Sequence, residues 1–431
     1  MEINNMIKRD VYLNRLVSGL GSGSVKIITG LRRVGKSFLL NNIFYEYLLD
    51  KGVKQTNIIK FAFDSADDLD MIGEDPFELE KNKRPVDRKK FMDFVSGKIS
   101  KKGRYYLLLD EVQRLESFEY VLNGYLAKGN LEIYVTGSNS KFLSSDIITE
   151  FRGRGEEIHV WPLAYSEITQ LSEYKKNGLE KYMVYGGLPR VALASSNERR
   201  MNYLREQMEK TFLKDVIERN KVQNKTELGE LLDIVASGIS SLTNPRRLAN
   251  AFSSIKKLKM AEGTISNYID YFKDAFIIDT AVRYDIKGKK YISTPYKIYF
   301  EDIGLRNARL NFRQVEYTHI MENILFAELK YRGYAVDIGA LDITERNKRK
   351  QLEIDFVANA GSSRYYIQSA YDIPDAQKLQ QETRAFDLLK DSFRKVIIIN
   401  RSIVPHLTEK GYLIIGLEDF LLDKDCLDKS F

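Results

Sequence analysis

Residues 30–37 have the sequence Gly-Leu-Arg-Arg-Val-Gly-Lys-Ser, a glycine-rich loop of the form G-x-x-x-x-G-K-S. The five residues before this loop are mostly β-branched and predict a short buried strand. Residues 38–44 behind it carry apolar side chains at helical spacing. In a strand, glycine loop and helix of this kind, backbone N–H groups of the loop surround a triphosphate. The sequence therefore predicts an α/β fold with a nucleotide-binding loop.

The motif assigns a chemical role to individual side chains of the loop. Lys36 is expected to contact the β- and γ-phosphates, and the Ser37 hydroxyl to hold Mg²⁺. ATP and Mg²⁺ are therefore the expected cofactors. The residues expected to contact the nucleotide are Gly30, Leu31, Arg32, Arg33, Val34, Gly35, Lys36, Ser37 and Phe38.

A strongly apolar segment, residues 105–109, ends in Asp110 and Glu111. It predicts a buried strand that brings two carboxylates to its tip. On its own, the acidic pair would be equally typical of the start of a helix. Beside the glycine loop, it predicts that Asp110 binds the Mg²⁺ ion and that Glu111 polarises the attacking water.

Residues 131–136 predict a further strand, which is followed by Gly137, Ser138 and Asn139. A polar side chain at this strand tip is placed to sense the γ-phosphate. Asn139 is the candidate for this role, with Ser138 as the alternative residue. A simple Gly-Ser-Asn turn is the other interpretation of the segment.

Two arginines, Arg152 and Arg154, flank a glycine shortly afterwards. A guanidinium group in such a turn suits delivery of positive charge to a phosphate, in this chain or in a neighbouring copy. Arg154 is therefore a candidate arginine finger. Surface salt bridges are the alternative role for the pair.

These motifs resemble the prokaryotic AAA-type ATPases that carry a C-terminal restriction-endonuclease-like domain. The resemblance rests on five segments: 30–37, 107–113, 136–139, 151–154 and a Gly-Gly-Leu-Pro turn at 186–189. The family is close to signalling and origin-binding ATPases that use a Gly-x-Pro lid motif. The resemblance implies ATP binding, with hydrolysis expected, and it implies no particular biological role.

The composition excludes several other classes of protein. One cysteine, Cys426, excludes internal disulfides and cysteine-based metal sites, and the three histidines form no zinc-binding pair. No apolar segment approaches the ~20 residues needed to cross a bilayer, and the N-terminus is polar, so we expect a cytoplasmic protein without a membrane partner. The net charge of +7 weakly favours nucleic acid and equally suits a mildly basic globular protein.

Residues 216–295 predict the elements of a winged helix. Residues 245–252 and 264–272 are expected to form two helices, and residues 282–291 a hairpin with a basic tip. A winged helix can bind DNA or pack only against protein, and the sequence leaves both open. The residues expected to meet DNA are Ser266, Asn267 and Lys273 on the second helix and Lys287, Lys289 and Lys290 on the hairpin, with Arg246, Arg247, Lys256, Lys257 and Lys259 nearby.

Residues 296–431 predict a mixed α/β domain similar to restriction-type nucleases. In such nucleases a helix glutamate and a strand aspartate hold Mg²⁺, and a Glu-x-Lys sequence on the next strand completes the site. Glu322 and Asp355 match the first two positions, but a Gln-Ser-Ala sequence that starts at Gln368 occupies the third. Lys378, on the following predicted helix, is a candidate replacement for the missing lysine. We expect a nuclease-like fold that has lost cleavage and serves as a structural or binding module.

The sequence thus predicts three domains: a P-loop AAA-type domain at 1–215 with a helical lid at about 165–215, a winged helix at 216–295 and a nuclease-like domain at 296–431. The expected function is a Mg²⁺-dependent ATP hydrolase that acts as a nucleotide-driven switch on DNA, on a protein partner or on its own copies. The alternatives are an ATP-dependent DNA nuclease and an ATP-binding scaffold with negligible turnover.

Overall fold

The structure is a computed structural model that describes residues 7–100, 102–137, 151, 153–257, 259–313, 316–345 and 348–429. The chain forms two compact units, Met1–Val160 and Trp161–Phe431. The predicted first domain extends past the division between these units, and the three-domain division stays a prediction. None of the described helices combines the length and the apolarity needed to cross a bilayer.

Five short strands of the first unit form one parallel sheet. They are β1 (Val25–Thr29), β2 (Ile58–Ala62), β3 (Tyr105–Asp110), β4 (Leu131–Thr136) and β5 (Gly155–His159). Their order across the sheet is β2-β3-β4-β1-β5. The strands β1, β3 and β4 are buried along their whole length, as the apolar runs in the sequence predict. Because all neighbours pair in parallel, the carboxyl ends of the five strands lie at the same edge.

The helices of the first unit connect these strands. They are α1 (Asp10–Ser18), α2 (Lys36–Phe38), α3 (Tyr45–Asp50), α4 (Ala66–Met71), α5 (Pro76–Lys81), α6 (Arg88–Lys98) and α7 (Phe118–Leu126), with 3₁₀ turns at Gln55–Asn57 and Val112–Arg114. A π-helical segment, Leu39–Phe44, joins α2 to α3, so the chain behind the glycine loop is helical without a break. The side chains of Asp75 and Asp87 accept backbone N–H bonds and fix the starts of α5 and α6.

Eight strands of the second unit form a mixed sheet. They are β6 (Ile278–Asp285), β7 (Lys290–Phe300), β8 (Ala335–Glu345), β9 (Lys348–Ala360), β10 (Ser363–Ala370), β11 (Arg394–Ile399), β12 (His406–Leu407) and β13 (Leu413–Gly416). Their order is β12-β13-β11-β10-β9-β8-β6-β7. The central strands β9, β10 and β11 match the apolar segments that the sequence predicts as strands of an α/β domain.

The described helices of the second unit lie before and between these strands. They are α8 (Tyr165–Ile168), α9 (Gly178–Tyr185), α10 (Pro189–Ala192), α11 (Asn197–Glu206), α12 (Lys214–Arg219), α13 (Lys225–Ser237), α14 (Pro245–Lys256), α15 (Glu262–Asp274), α16 (Ile303–Arg309), α17 (Tyr317–Tyr331), α18 (Ala376–Thr383) and α19 (Leu417–Leu422), with a π-helical segment at Gln207–Leu213 and 3₁₀ turns at Ser172–Tyr174 and Phe386–Leu388. One of them, the largely buried α17, packs against β7, β8, β9 and β10.

The predicted basic hairpin is present as β6 and β7, but it belongs to the large sheet. β6 pairs in parallel with β8 over Arg283–Asp285, so the hairpin continues the sheet of the C-terminal strands. The predicted boundary between residues 295 and 296 falls inside β7, and the boundary between residues 215 and 216 falls inside α12. Three helices, α13, α14 and α15, precede the hairpin and pack on one another in sequence order.

Candidate nucleotide-binding site

The glycine loop leaves the carboxyl end of β1 and enters α2 through two glycines with left-handed backbone angles. Gly30 has a φ of 129° and Gly35 a φ of 94°, in a region that favours glycine. A Cβ atom at Gly30 would also lie 2.2 Å from the carbonyl oxygen of Val160. Backbone geometry therefore requires both glycines of the motif, and they fix the path of the loop.

Lys36 is the first residue of α2, and its side chain lies inside the loop. The residue is 5% exposed, and its Nζ donates to the carbonyl oxygens of Gly30, at 2.8 Å, and Leu31, at 3.0 Å. The backbone N–H groups and the dipole of the helical segment behind it favour an anion at this end. An ammonium group in such a loop fits the binding of phosphate oxygens.

Asp110 ends β3 and is 6% exposed. Its carboxylate accepts a hydrogen bond from the hydroxyl of Thr136, and the hydroxyl of Ser37 lies beside it. Burial raises the pKa of Asp110, these two hydroxyls lower it, and the charges of Glu111 and Asp64 raise it further. A divalent cation beside this carboxylate would favour its ionised form and offset the effect of burial. Ser37 and Asp110 together therefore fit a Mg²⁺ site made of oxygen ligands.

Glu111 follows β3 with a φ of 52°, an uncommon backbone conformation for a residue other than glycine. Its backbone N–H donates to the hydroxyl of Thr136 at 3.2 Å. Its carboxylate accepts a hydrogen bond from Nε2 of Gln113. The strained backbone and the amide partner hold the carboxylate beside Asp110, at the edge of the sheet where the glycine loop also lies.

Three residues of the site were not assigned from the sequence. The Thr136 hydroxyl bridges the Asp110 carboxylate and the Glu111 backbone. Its position at the end of a predicted strand was the only sequence feature that indicated a role in the site. Gln113 holds Glu111 and was noticed only as part of the resemblance. Arg9 is 4% exposed and donates to the Val34 carbonyl oxygen at 2.9 Å, which ties the N-terminal segment to the glycine loop. No local pattern in the sequence indicated this contact.

Arg154 lies far from the glycine loop of its own chain. Its carbonyl oxygen accepts from the backbone N–H of Val25, the first residue of β1. The glycine loop lies at the other end of β1, after Thr29. A five-residue strand separates its ends by roughly 16 Å. The guanidinium is exposed and donates to the Asn123 side chain at 3.4 Å. The other two predicted candidates of this region, Asn139 and Arg152, lie outside the described residues, as does Ser138.

The predicted Gly-Gly-Leu-Pro turn lies in the second unit, between α9 and α10, where it receives the Asp302 carboxylate. The N–H of Gly187 donates to Asp302 Oδ2 at 2.8 Å, and Asp302 Oδ1 accepts from the N–H of Leu305 at 3.0 Å. A Cβ atom at Gly186 would lie 2.4 Å from Asp302 Oδ1, and one at Gly187 would lie 2.1 Å from the Leu163 carbonyl oxygen. Close packing therefore explains both glycines of the turn.

Asp302 gives the second unit a predicted pH dependence. Burial raises the pKa of Asp302 to about 6, against the opposing bonds from backbone N–H groups. Because this value exceeds the ordinary one, the folded form binds the proton more tightly, and the stabilisation is lost as the pH rises through 6. We expect the contribution of this group to the free energy of unfolding to fall by roughly 1 kcal/mol between pH 5 and pH 8.

Denaturant unfolding followed by the fluorescence of Trp161 measures this effect, since this single tryptophan is buried in the second unit. Asp302→Asn is the comparison, because its amide does not titrate, and it should be less stable by about 1–3 kcal/mol at pH 7 through an unmatched donor. The stability difference between the two proteins should be largest at pH 5. A difference that is constant from pH 5 to pH 8 would contradict the assignment.

The predicted nuclease-like residues Glu322 and Asp355 lie together in the second unit. Their carboxylates share the Nζ of Lys297, at 2.8 Å and 3.4 Å. Burial raises the pKa of Glu322 to about 7, although the charge of Lys297 opposes the rise. The predicted replacement, Lys378, instead pairs with Glu382 on its own helix at 2.6 Å. Lys297 was missed because it lies 25 and 58 residues from its two partners in sequence.

Gln368 does not complete this cluster. Strand alternation puts it on the face of β10 that carries Tyr366 and Ala370, two residues of a hydrophobic core. Its amide oxygen is buried and has no hydrogen-bond partner among the described residues. The backbone N–H of the next residue, Ser369, instead donates to Asp355 at 2.9 Å.

The residues predicted to meet DNA fall into two groups. Lys287, Lys289 and Lys290 are exposed at the tip of the β6–β7 hairpin. Ser266 and Lys273 on α15 are half-buried, and only Asn267 of that group is exposed. The remaining exposed side chains of α15 are acidic and belong to Glu262, Asp270 and Asp274. Of the basic residues on and after α14, Lys256 pairs with Glu230 at 3.0 Å, while Arg246, Arg247, Lys257 and Lys259 are exposed.

Two family models match the chain. Residues 22–169 match an AAA domain. This segment of the chain contains every residue of the site described above except Arg9. Residues 176–316 match a domain of unknown function, which includes the Gly-Gly-Leu-Pro turn, α13 to α15 and the hairpin. The AAA match supports the P-loop interpretation of the sequence.

Two solved structures show weak similarity. The ORC1 protein of Aeropyrum pernix, in complex with DNA, matches with 13% identity and a TM-score of 0.30, over 72% of this chain and 93% of that chain. Drosophila ORC bound to AT-rich DNA and Cdc6 matches with 11% identity and a TM-score of 0.24, over 72% and 94%. Scores this low carry no argument about the function of this chain.

Sequence relatives extend over almost the whole chain. An uncharacterized protein of Methanocaldococcus jannaschii is 25% identical over 96% of this chain and 88% of its own length. An uncharacterized protein of Haemophilus influenzae is 30% identical over 97% of this chain and 99% of its own length. This chain carries an AAA domain at residues 22–169. It belongs to the same family as this Haemophilus influenzae protein.

Proposed function

We propose that this protein is a Mg²⁺-dependent ATPase that acts as a nucleotide-driven switch. The observation that carries the proposal is the buried Lys36 ammonium, which donates to two carbonyl oxygens inside the glycine loop, with the Ser37 hydroxyl beside the Asp110 carboxylate. A phosphate-binding ammonium beside a hydroxyl and a carboxylate is suited to a nucleoside triphosphate and its metal ion.

Bound Mg·ATP supplies the phosphoanhydride bond whose cleavage drives the switch. Lys36 exchanges its two bonds to loop carbonyl oxygens for bonds to phosphate oxygens. Ser37 and Asp110 offer oxygen ligands to the metal. Glu111 orients the attacking water and accepts its proton at the carboxylate.

Two further residues have proposed roles in this site. The proposed role of Asn139 is to sense the γ-phosphate and so to distinguish ATP from ADP. Arg154 stabilises phosphate charge in a neighbouring copy, since the length of β1 separates it from the loop of its own chain. In this account, full activity requires self-association.

Release of phosphate from ATP by the full chain tests the proposal. We expect continuous release that requires Mg²⁺ and stops when EDTA is added, because Asp110 and Ser37 bind the nucleotide through the metal. Tight ATP binding without release would instead support the scaffold function.

The partner is proposed to bind through a winged helix formed by α13, α14, α15 and the β6–β7 hairpin. An antiparallel bridge between Thr243 and Tyr296 supports this assignment, because it adds the short strand that a winged helix has between its first two helices. The acidic face of α15 disfavours insertion of this helix into a DNA groove. The exposed lysines of the hairpin tip favour contacts to a phosphate backbone without base recognition.

Charge reversal at the hairpin tip is expected to weaken DNA binding. In the double variant Lys287→Glu with Lys289→Glu, two phosphate contacts are lost, so the slope of log affinity against log salt should fall by roughly 2. The measurement is the affinity for a short duplex, by fluorescence anisotropy, at several salt concentrations.

Lys175→Glu with Lys176→Glu is the matched control, since both lysines are exposed and lie outside α13 to α15 and the hairpin. This control should keep the slope of the unchanged protein. An equal loss in both double variants would contradict a specific role of the hairpin. Absence of DNA binding by the unchanged protein would point to a protein partner.

A further inference from the structure

The ion cluster at Lys297 combines three carboxylates with one ammonium group. Nζ of Lys297 lies 2.8 Å from Glu322 Oε1, 2.6 Å from Glu353 Oε1 and 3.4 Å from Asp355 Oδ1. The lysine is 3% exposed. An ammonium group has three protons to donate, so each carboxylate can take one. Tyr299 adds a hydroxyl bond to Glu322 Oε1 at 2.7 Å.

The fold brings these residues together from three elements of the second unit. Lys297 and Tyr299 are alternate residues of β7, and Glu322 lies on α17. Glu353 and Asp355 come from β9. The register of β9 against β8 shifts between the pair Asp337–Val357 and the pair Gly339–Ile354, which marks a β-bulge. Such a bulge redirects side chains at a defined point of a strand, and here it coincides with Asp355.

The charges of the cluster keep Lys297 protonated. Burial alone would lower the pKa of Lys297, but the charges of Glu322, Asp355 and Glu353 raise it well above the ordinary value. Buried carboxylates need a compensating positive charge, and the Lys297 ammonium provides it here.

A divalent metal ion would compete with Lys297 for the same oxygen atoms. Mg²⁺ and Ca²⁺ bind oxygen at about 2.0–2.6 Å, closer than most of the contacts that Nζ makes here. Within the described part of the chain, no group of three or more acidic, histidine or cysteine side chains is arranged to hold a metal ion. The carboxylates of this cluster are arranged around the ammonium group, which occupies the space that a metal ion would need.

We propose that Lys297 is a tethered cation that takes the place of a divalent metal in the nuclease-like centre and closes that centre to metal binding. The tether makes the ammonium group an intramolecular competitor for the oxygen atoms that a metal ion would bind. The same contacts fasten β7, a strand of the hairpin, to α17 and β9. The C-terminal domain is thereby a structural module in which the ammonium group supplies the positive charge.

Binding of Mn²⁺ to the nucleotide-free full chain tests the proposal, with free Mn²⁺ measured by electron paramagnetic resonance. The unchanged protein should show no Mn²⁺ site that depends on Asp355. Lys297→Met removes the charge at nearly the same side-chain length. This variant should gain about one Mn²⁺ site per chain, and the site should bind Mn²⁺ at least about tenfold more tightly than the unchanged protein does. The site should disappear again when Asp355→Asn is added to Lys297→Met, and Lys297→Arg should gain no site.

The fluorescence of Trp161 shows whether each variant is folded, because this ring packs against Phe326 on α17. A folded Lys297→Met protein that binds no more Mn²⁺ than the unchanged protein would overturn the proposal. The proposal would also be overturned if the unchanged protein bound Mn²⁺ and Asp355→Asn abolished this binding. This second comparison does not need the Lys297→Met variant to fold. Nicking of plasmid DNA by the unchanged protein in Mg²⁺ or Mn²⁺, lost in Asp355→Asn, would show a working nuclease and also overturn it.

Discussion

Replacement of Glu111 by glutamine should lower the rate of ATP turnover by about 10²- to 10⁴-fold, the range that a general base contributes. The amide keeps the shape of the side chain but cannot accept a proton from water. Asp110, Ser37 and Lys36 are unchanged, so the affinity for Mg·ATP should stay within a few-fold of its original value. Steady-state phosphate release and equilibrium binding of ATP measure the two quantities.

Glu116→Gln is the matched control, since Glu116 lies shortly after Glu111 in the chain and its side chain is exposed, 3.9 Å from Arg88. It should leave turnover unchanged. Equal turnover in Glu111→Gln and in the unchanged protein would show that another group activates water, and the assignment of Glu111 would be wrong.

Replacement of Lys36 by alanine should lower the affinity for ATP at least about 100-fold. The ammonium group is buried in the loop, and hydrogen bonds from a charged group to phosphate contribute about 1.5–3 kcal/mol each. Loss of two such bonds accounts for the expected effect. Isothermal titration with Mg·ATP measures the affinity.

Lys51→Ala is the control for this variant. Lys51 is exposed and caps the far end of the same helical segment, after α3. Its replacement should change ATP affinity by less than about twofold. Normal affinity in Lys36→Ala would exclude the glycine loop as the nucleotide site.

The strands and the glycine loop could be predicted because their signals are local. Residues 25–29 are mostly β-branched and lead into Gly30, and residues 105–109 form a continuous apolar run that leads into Asp110 and Glu111. Gly30 and Gly35 have the left-handed angles that the motif requires. The prediction of Lys36, Ser37 and Asp110 as neighbours followed from pairing the glycine-loop motif with the strand that ends in two carboxylates.

The remaining contacts depend on how distant segments pair. Thr136 reaches Asp110 because β3 and β4 are neighbours in parallel register, which no local pattern reveals. Arg154 lies at the amino end of β1 because the N–H of Val25 donates to its carbonyl oxygen and β5 then pairs beside β1. Lys297 enters the carboxylate cluster from β7, the second strand of the hairpin, so a search for lysines near Gln368 could not find it.

The chemical form of the nucleotide on the protein, followed after mixing with Mg·ATP under single-turnover conditions, decides whether this protein hydrolyses ATP. We expect the unchanged protein to convert bound ATP to ADP and to release phosphate, while Glu111→Gln retains ATP over the same time. If the unchanged protein retained intact ATP for as long as Glu111→Gln does, the site would bind ATP without hydrolysing it, and the claim of an ATPase would be wrong.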